Sequence, residues 1–224
     1  MKKYVAMMRK KHTAALAFIF FMLAAEGAFA LSYDFIRISN NGTESILGQL
    51  GLEATDNGNG AIFTFTNDVG IDSSIKSIHF DLGDTGLFTD ISIFQDSGDG
   101  VTFSEDERKP KNLPEGNTIG FSTDYSAGAD GKAANGVDAA DEWISFLALY
   151  GSGETFDSLL TAEGFRVGLH AISIGGPDGF SDSYVTGGLT PPDVSTVPLP
   201  AAAWLFGTAL LGFFVASKKR RAIH

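Results

Sequence analysis

The acidic residues between positions 96 and 107 are the side chains of this sequence best suited to bind a metal ion. Asp96, Asp99 and Glu105 are separated by Ser, Gly, Thr and apolar residues, and two further acids follow. Ca²⁺ takes six to eight oxygen ligands, which such a loop can supply. The spacing matches neither the EF-hand loop nor the RTX repeat. Two interpretations stay open: a calcium loop formed by these three residues, or solvated turns in which Asp side chains accept nearby backbone N–H groups.

The other residue types that carry out catalysis form no recognisable motif. His79 and His170 each lie in a strand-like pattern, without the second His two or four residues away that a metal pair would need. The sequence contains no G-x-S-x-G, no P-loop and no complete G-x-G-x-x-G. It also contains no Cys, which excludes thiol catalysis, Cys-ligated zinc and disulfides. The sequence therefore predicts a protein that is not an enzyme and has no cofactor except, in one hypothesis, calcium.

Charge is distributed unevenly along the 224 residues, whose formal net charge is −11. Nine of the 16 basic residues lie before position 12 or in the last seven positions. The stretch 31–200 consequently has seven basic residues against 26 acidic ones. Because phosphates are neutralised by Lys and Arg, this acidic stretch argues against a nucleic-acid partner.

Short segments rich in β-branched and aromatic residues, bounded by Gly, Asn and Asp clusters, run through the middle of the chain. The predicted strands are 33–38, 61–66, 75–80, 88–94, 119–122, 143–150 and 165–172. Seven or eight such strands predict an all-β fold, a β-sandwich of jelly-roll-like type. One short helix is predicted at 155–163, with Thr155 as its N-cap and Gly164 as its stop.

The first 30 residues have the pattern of a secretory signal peptide. Five basic residues precede an apolar run over 13–25, and Ala28-Phe29-Ala30 follows as an A-x-A cleavage motif. The apolar run is short for a membrane-spanning helix, which needs about 20 residues. The sequence therefore predicts cleavage after Ala30, directed by Ala28 and Ala30, and a mature chain that begins at Leu31.

The C-terminus carries a second membrane signal. Residues 201–217 contain no formal charge, and at about 1.5 Å per residue they would form a helix of roughly 26 Å, near the lower limit for a membrane span. Within the tail 218–224, a membrane stop follows at Lys218, Lys219, Arg220 and Arg221. Basic flanks stay in the cytoplasm, so the middle of the chain is expected on the opposite side of the membrane, in agreement with the N-terminal signal.

The residues at the start of this span form a specific motif. Val197, Pro198, Leu199, Pro200 and Ala201, followed by the apolar span and the basic tail, resemble the PEP-CTERM sorting signal in its VPLPA variant. The two prolines prevent a regular helix and keep the segment extended. The resemblance implies an exported protein of a Gram-negative bacterium that makes exopolysaccharide. It also implies an exosortase, a membrane cysteine protease, as the partner that removes the tail. A Gram-positive LPxTG signal fits less well, because its Thr–Gly bond is missing here.

These features divide the chain into four parts: a signal peptide (1–30), a β-sandwich ectodomain (31–186), a Gly/Pro/Ser/Thr linker (187–196) and a VPLPA-CTERM sorting signal (197–224). The expected location is a precursor anchored in the inner membrane with a periplasmic ectodomain, and later the cell surface or extracellular matrix. The predicted function is that of a surface or matrix protein associated with exopolysaccharide and biofilm.

Two other functions remain as alternatives. The first is a carbohydrate-binding module, which would need a flat platform of Trp and Tyr rings. The candidate rings are those of Tyr33, Tyr125, Trp143, Tyr150 and Tyr184. Trp143 and Tyr150 are seven positions apart in one predicted strand, so they are expected on opposite faces. The second alternative is a secreted glycan hydrolase, for which many carboxylate pairs are available but none stands out.

Overall fold

A computed structural model describes residues 30–68, 70–98, 100–105 and 112–187. All of them lie in one unit of the chain, Ala30–Thr196. The strands are β1 (Ala30–Ser32), β2 (Phe35–Arg37), β3 (Leu50–Asp56), β4 (Gly60–Asn67), β5 (Ser74–Asp81), β6 (Phe88–Asp96), β7 (Phe103–Glu105), β8 (Tyr125–Ala129), β9 (Trp143–Tyr150), β10 (Arg166–Ile174) and β11 (Phe180–Thr186).

These strands form two antiparallel sheets. Sheet 1 has the strand order β1-β3-β4-β9-β6, and sheet 2 has the order β2-β11-β10-β5-β8-β7. Alternate residues of β4 are buried because successive side chains in a strand point to opposite faces. The observed architecture confirms the all-β sandwich that the sequence predicts.

Phenylalanine side chains from both sheets form the centre of the core. Phe63 and Phe65 of β4, Phe80 of β5 and Phe146 of β9 are completely buried. The ring of Phe80 meets the other three edge-on, with centroid distances of 5.5 to 6.1 Å. Each such side chain contributes about 1.5–3 kcal/mol of burial, and edge-to-face pairs add to it. The rings therefore hold the two sheets together without disulfides.

Two predicted elements differ in the structure. The helix expected at 155–163 is a shorter 3-10 helix, Phe156–Leu160, in which the Thr155 N–H donates to Ser158 Oγ at 3.1 Å. The prediction of a strand at 119–122 is wrong. A 3-10 helix, Gly116–Ile119, ends there at Gly120, whose φ of 64° is incompatible with a strand.

That segment belongs to a loop, 112–124, which lies over the outer face of sheet 2. Leu113 and Phe121 are buried against Val185 of β11 in a small second core. The loop approaches closely because Gly168 of β10 has no side chain: a Cβ there would lie 2.6 Å from Leu113 Cδ2 and 3.1 Å from Phe121 Cζ. The apolar residues 119–122 thus cover a sheet instead of joining one.

An ion pair anchors the same loop. Arg166 of β10 pairs with Asp81 of β5 at 2.5 Å, and its guanidinium also donates to the carbonyl oxygen of Ile119 at 3.0 Å. The Asp81 carboxylate in turn accepts the Ser122 N–H at 3.0 Å. The loop is therefore held by charge as well as by apolar packing.

The strands of sheet 2 that come first and last along the chain, β2 and β11, are neighbours in the sheet. β2 pairs with β11, and the Gly187 N–H donates to the Asp34 carbonyl oxygen at 3.1 Å. The C-terminal end of the described unit therefore lies next to the segment that joins β1 to β2. None of the helices in the described ranges is long and apolar enough to cross a membrane, and the span predicted at 201–217 lies outside those ranges.

Candidate functional site

A polar groove on the outer face of sheet 2 is the candidate site. Its volume is about 330 Å³, and β5, β7, β8 and β10 provide its walls. Lys76, Ser77, His79, Glu105 and His170 carry its principal polar groups. It lies on the same face of the sheet as the 112–124 loop, because Gly168, which that loop covers, is two residues from His170 in β10.

The antiparallel register brings the groove's two histidines together. His170 of β10 lies opposite Ser77 of β5, and His79 lies opposite Gly168. Both imidazoles therefore project from the same face on neighbouring strands. Each histidine looks isolated in the sequence because the two are 91 positions apart. The signal that could have joined them is the pairing of β5 with β10.

A β-bulge in β5 shapes one side of the groove. The register shifts between His170 and Ala171, which leaves Lys76 as an extra residue between Ile75 and Ser77. The Lys76 ammonium donates to the carbonyl oxygens of Ala129 and Gly131, so it is tied to the end of β8 and the turn that follows. The bulge thus supplies a cation to the groove and fixes its position.

β8 pairs with β5 on the side away from β10. Its Gly128 lies opposite Ser77 and, having no side chain, keeps the groove open. A Cβ built at Gly128 would meet only ordinary contacts, 3.8 Å to the Lys76 carbonyl oxygen and 4.0 Å to Ser77 Cβ. A larger residue at this position would therefore fit the backbone and occupy the groove. This makes Gly128 a useful site for a blocking substitution.

Ser77 Oγ and His79 Nε2 are 2.8 Å apart. In covalent catalysis, a nucleophilic hydroxyl is likewise hydrogen-bonded to the imidazole that acts as its general base. Acyl transfer further requires N–H donors aimed at the developing oxyanion. Ser77 lies within a strand that pairs with β10 on one side and β8 on the other, where backbone N–H groups serve the sheet. The contact can orient the imidazole ring or take part in ligand binding.

The electrostatics of His170 favour a neutral ring. Burial lowers its pKa, and the nearby Asp182 carboxylate opposes that effect in part. At neutral pH the groove thus offers a neutral imidazole, a hydroxyl and an ammonium, with the side chains of Glu105 and Asp130 beside them. This mixture of hydrogen-bond donors and acceptors can bind a ligand with several hydroxyl groups.

The residues of the calcium hypothesis have separate structural partners. Asp96 ends β6, and its Oδ1 accepts the Gly98 N–H at 2.9 Å, as in an Asx turn. Glu105 ends β7, and its Oε1 accepts the Ile93 N–H of β6 at 3.0 Å. Asp99 lies outside the described residues. The part of the chain that the structure describes contains no group of three or more His, Asp or Glu side chains placed to hold a metal ion. Calcium binding stays a prediction.

The five candidate aromatic residues do not share a surface. The rings of Tyr33 and Tyr125 contact Phe63 and Phe80, respectively. Tyr150 stacks on Phe88 with centroids 6.0 Å apart and an interplanar angle of 18°. Tyr184 is completely buried. Trp143 is the fifth ring, half-buried at the start of β9 and on the face opposite Tyr150.

The residues predicted to direct export and sorting lie mostly outside the described ranges. Ala28, the motif 197–201 and the basic residues 218–221 all lie there. Ala30 is described and is the first residue of β1.

The comparisons with known proteins give no assignment. No protein-family model, no curated protein and no solved structure matches the chain.

Proposed function

We propose that this chain is an exported cell-surface or extracellular-matrix protein of a Gram-negative bacterium that makes exopolysaccharide. The observation that carries the proposal is the order of the C-terminal segments: Val197-Pro198-Leu199-Pro200-Ala201, an uncharged span and four basic residues. An exosortase is its processing partner, the inner membrane holds its precursor, and the predicted signal peptide directs its export.

The arrangement of the folded unit supports a membrane tether. Gly187 follows the last strand, is hydrogen-bonded to Asp34, and is the point at which the chain leaves the unit toward the predicted linker. The ten residues 187–196 could extend over at most about 35 Å, enough to separate the unit from the membrane. The proposal also includes a jelly-roll-like arrangement of the two sheets. It is supported by the connections between consecutive strands, most of which cross from one sheet to the other.

The sorting motif can be tested with a proline substitution. The double variant Pro198→Ala, Pro200→Ala should stay at full length in the inner membrane, because a continuous helix would replace the extended recognition segment. Pro191→Ala, Pro192→Ala in the linker is the matched control and should be processed normally. Immunoblots of inner-membrane and surface fractions measure both. A Pro198, Pro200 variant that reached the surface with its tail removed would refute the sorting proposal.

Carbohydrate binding is the second candidate, and the groove beside Ser77 and His170 favours it. Its polar groups suit sugar hydroxyls, whereas the dispersed aromatic residues offer no stacking platform. A glycan array should then identify a ligand whose binding is lost in Gly128→Leu and retained in Gly128→Ala. If an array ligand bound Gly128→Leu as well as the native protein, this groove would not be its site.

Glycan hydrolysis is the least supported candidate, and release of sugars from purified exopolysaccharide is its test.

The calcium hypothesis has a separate test. If Asp96, Asp99 and Glu105 bind Ca²⁺ together, calcium raises the melting temperature, EDTA reverses the rise, and Asp96→Asn removes it. An unchanged melting temperature, with no heat in a calcium titration, would end that hypothesis.

A further inference from the structure

The predicted signal-peptide cleavage bond, Ala30–Leu31, lies inside a strand of the folded domain. β1 runs from Ala30 to Ser32 and pairs with β3 in the register Ala30↔Thr55, Leu31↔Ala54 and Ser32↔Glu53. The pairing continues just beyond the strand, where the Tyr33 N–H donates to the Leu52 carbonyl oxygen at 3.0 Å. Both sides of the scissile bond are therefore part of a sheet.

Side-chain packing also holds this bond in place. Leu31 is only 4% exposed and belongs to the main core. The Tyr33 ring lies 6.5 Å from the ring of Phe63. A protease binds its substrate as an extended segment and contacts the residues on both sides of the bond. Signal peptidase can do so here only if β1 leaves β3 and Leu31 leaves the core.

We infer that folding closes the cleavage site, so that signal peptidase must act before β1 docks on β3. This inference rests on the proposed function, because it takes Ala30–Leu31 as the processing bond. The sorting motif is separated from the last strand by the predicted linker. Val197 lies ten residues beyond Gly187, after a stretch rich in Pro, Ser and Thr. Cleavage at the N-terminus thus precedes folding of β1, whereas removal of the C-terminal tail is compatible with a folded domain.

The test is a timed digestion of the full-length chain in detergent micelles. The chain is unfolded in urea and diluted either directly into signal peptidase or into buffer, with the peptidase added after refolding. Direct dilution should give cleavage after Ala30. The refolded chain should be cut at least about tenfold more slowly, because exposing Leu31 alone requires loss of its burial. N-terminal sequencing of the product identifies the bond.

Two variants separate local opening from global unfolding. Tyr33→Ala removes the ring contact that follows β1. The refolded variant should therefore be cut several-fold faster than the refolded native chain, whereas the two unfolded chains should be cut at the same rate. Val185→Ala weakens the small core of Leu113 and Phe121 on sheet 2 instead, and should leave the cleavage rate of the refolded chain unchanged.

The outcomes are distinct. Equal cleavage rates for the unfolded and refolded native chain, with Leu31 as the new N-terminus, would overturn the inference and leave the signal-peptide assignment intact. Equal acceleration by both variants would mean that the bond opens only when the whole domain unfolds, which would still support closure by folding and would overturn only the local opening of β1. Failure to cut after Ala30 in either state would overturn both the inference and the signal-peptide assignment.

Discussion

Removal of the Asp182 carboxylate tests how the N-terminal segment is attached to β11, the last strand. Asp182 is 1% exposed and forms an ion pair with Arg37 at the end of β2. Its Oδ1 also accepts the Ser39 hydroxyl at 2.7 Å and the Asn41 N–H at 3.0 Å. Asp182→Ala deletes all three interactions and leaves the guanidinium mostly buried, with only the carbonyl oxygens of Gly42 and Glu44 as acceptors and no counter-charge among the described residues.

The expected loss of stability is large. Removing one partner of a buried pair costs about 3–5 kcal/mol, because the remaining charge stays desolvated. Domains of this size have a free energy of unfolding of roughly 5–15 kcal/mol. The Asp182→Ala variant should therefore retain only part of the native stability. With a urea m-value of ~2 kcal/mol/M, the midpoint should fall by about 2 M.

The assay is urea unfolding of the full-length chain in micelles, followed by tryptophan fluorescence. Arg37→Met, Asp182→Ala completes a double-mutant cycle, and it should recover at least about 1 kcal/mol relative to Asp182→Ala because no charge is then stranded. If Asp182→Ala lowers the midpoint by less than about 0.3 M, or if the second substitution adds a full further loss, the stranded-charge reasoning is refuted.

Three further predictions concern loop packing and pH. Gly168→Ala should cost about 1–3 kcal/mol and speed proteolysis of the loop 112–124, because its Cβ would meet Leu113; native digestion rates would contradict this. Burial lowers the pKa of His170, so the native domain should lose stability as the pH falls below about 6.5, and His170→Gln should reduce that loss in melting curves. Burial and the Glu142 carboxylate raise the pKa of Asp138 to about 6, so its charged form is disfavoured in the folded state. Asp138→Asn should therefore raise the melting temperature at pH 7.5 and leave it unchanged at pH 3.5; equal shifts at both pH values would count against the carboxylate contact.

The strands with strong apolar periodicity were predictable from the sequence. The segments 61–66, 75–80, 88–94 and 143–150 all lie within β4, β5, β6 and β9, and 165–172 overlaps β10. Their β-branched and aromatic residues fit a half-buried, pleated surface. The segment 33–38 yields only the short β2, because the chain crosses there from sheet 1 to sheet 2.

Two of the missed strands, β3 and β8, have weak local signals. β8, with the sequence YSAGA, consists mainly of small residues, and its place between β5 and β7 comes from tertiary pairing. β3 contains Gly51, Glu53 and Asp56, which are poor strand formers. The candidate groove was unpredictable for a related reason: its residues meet only through the β5–β10 register and a bulge at Lys76.

The most direct test of the proposed function is to determine both ends of the protein recovered from the cell surface. The chain would be expressed in a Gram-negative bacterium that has an exosortase, and the surface and matrix fractions would be analysed by intact mass and terminal sequencing. We predict a chain that begins at Leu31 and ends near the 197–201 motif, without the apolar span and the basic tail. A surface-fraction protein that retained residues 218–224 would contradict the proposal.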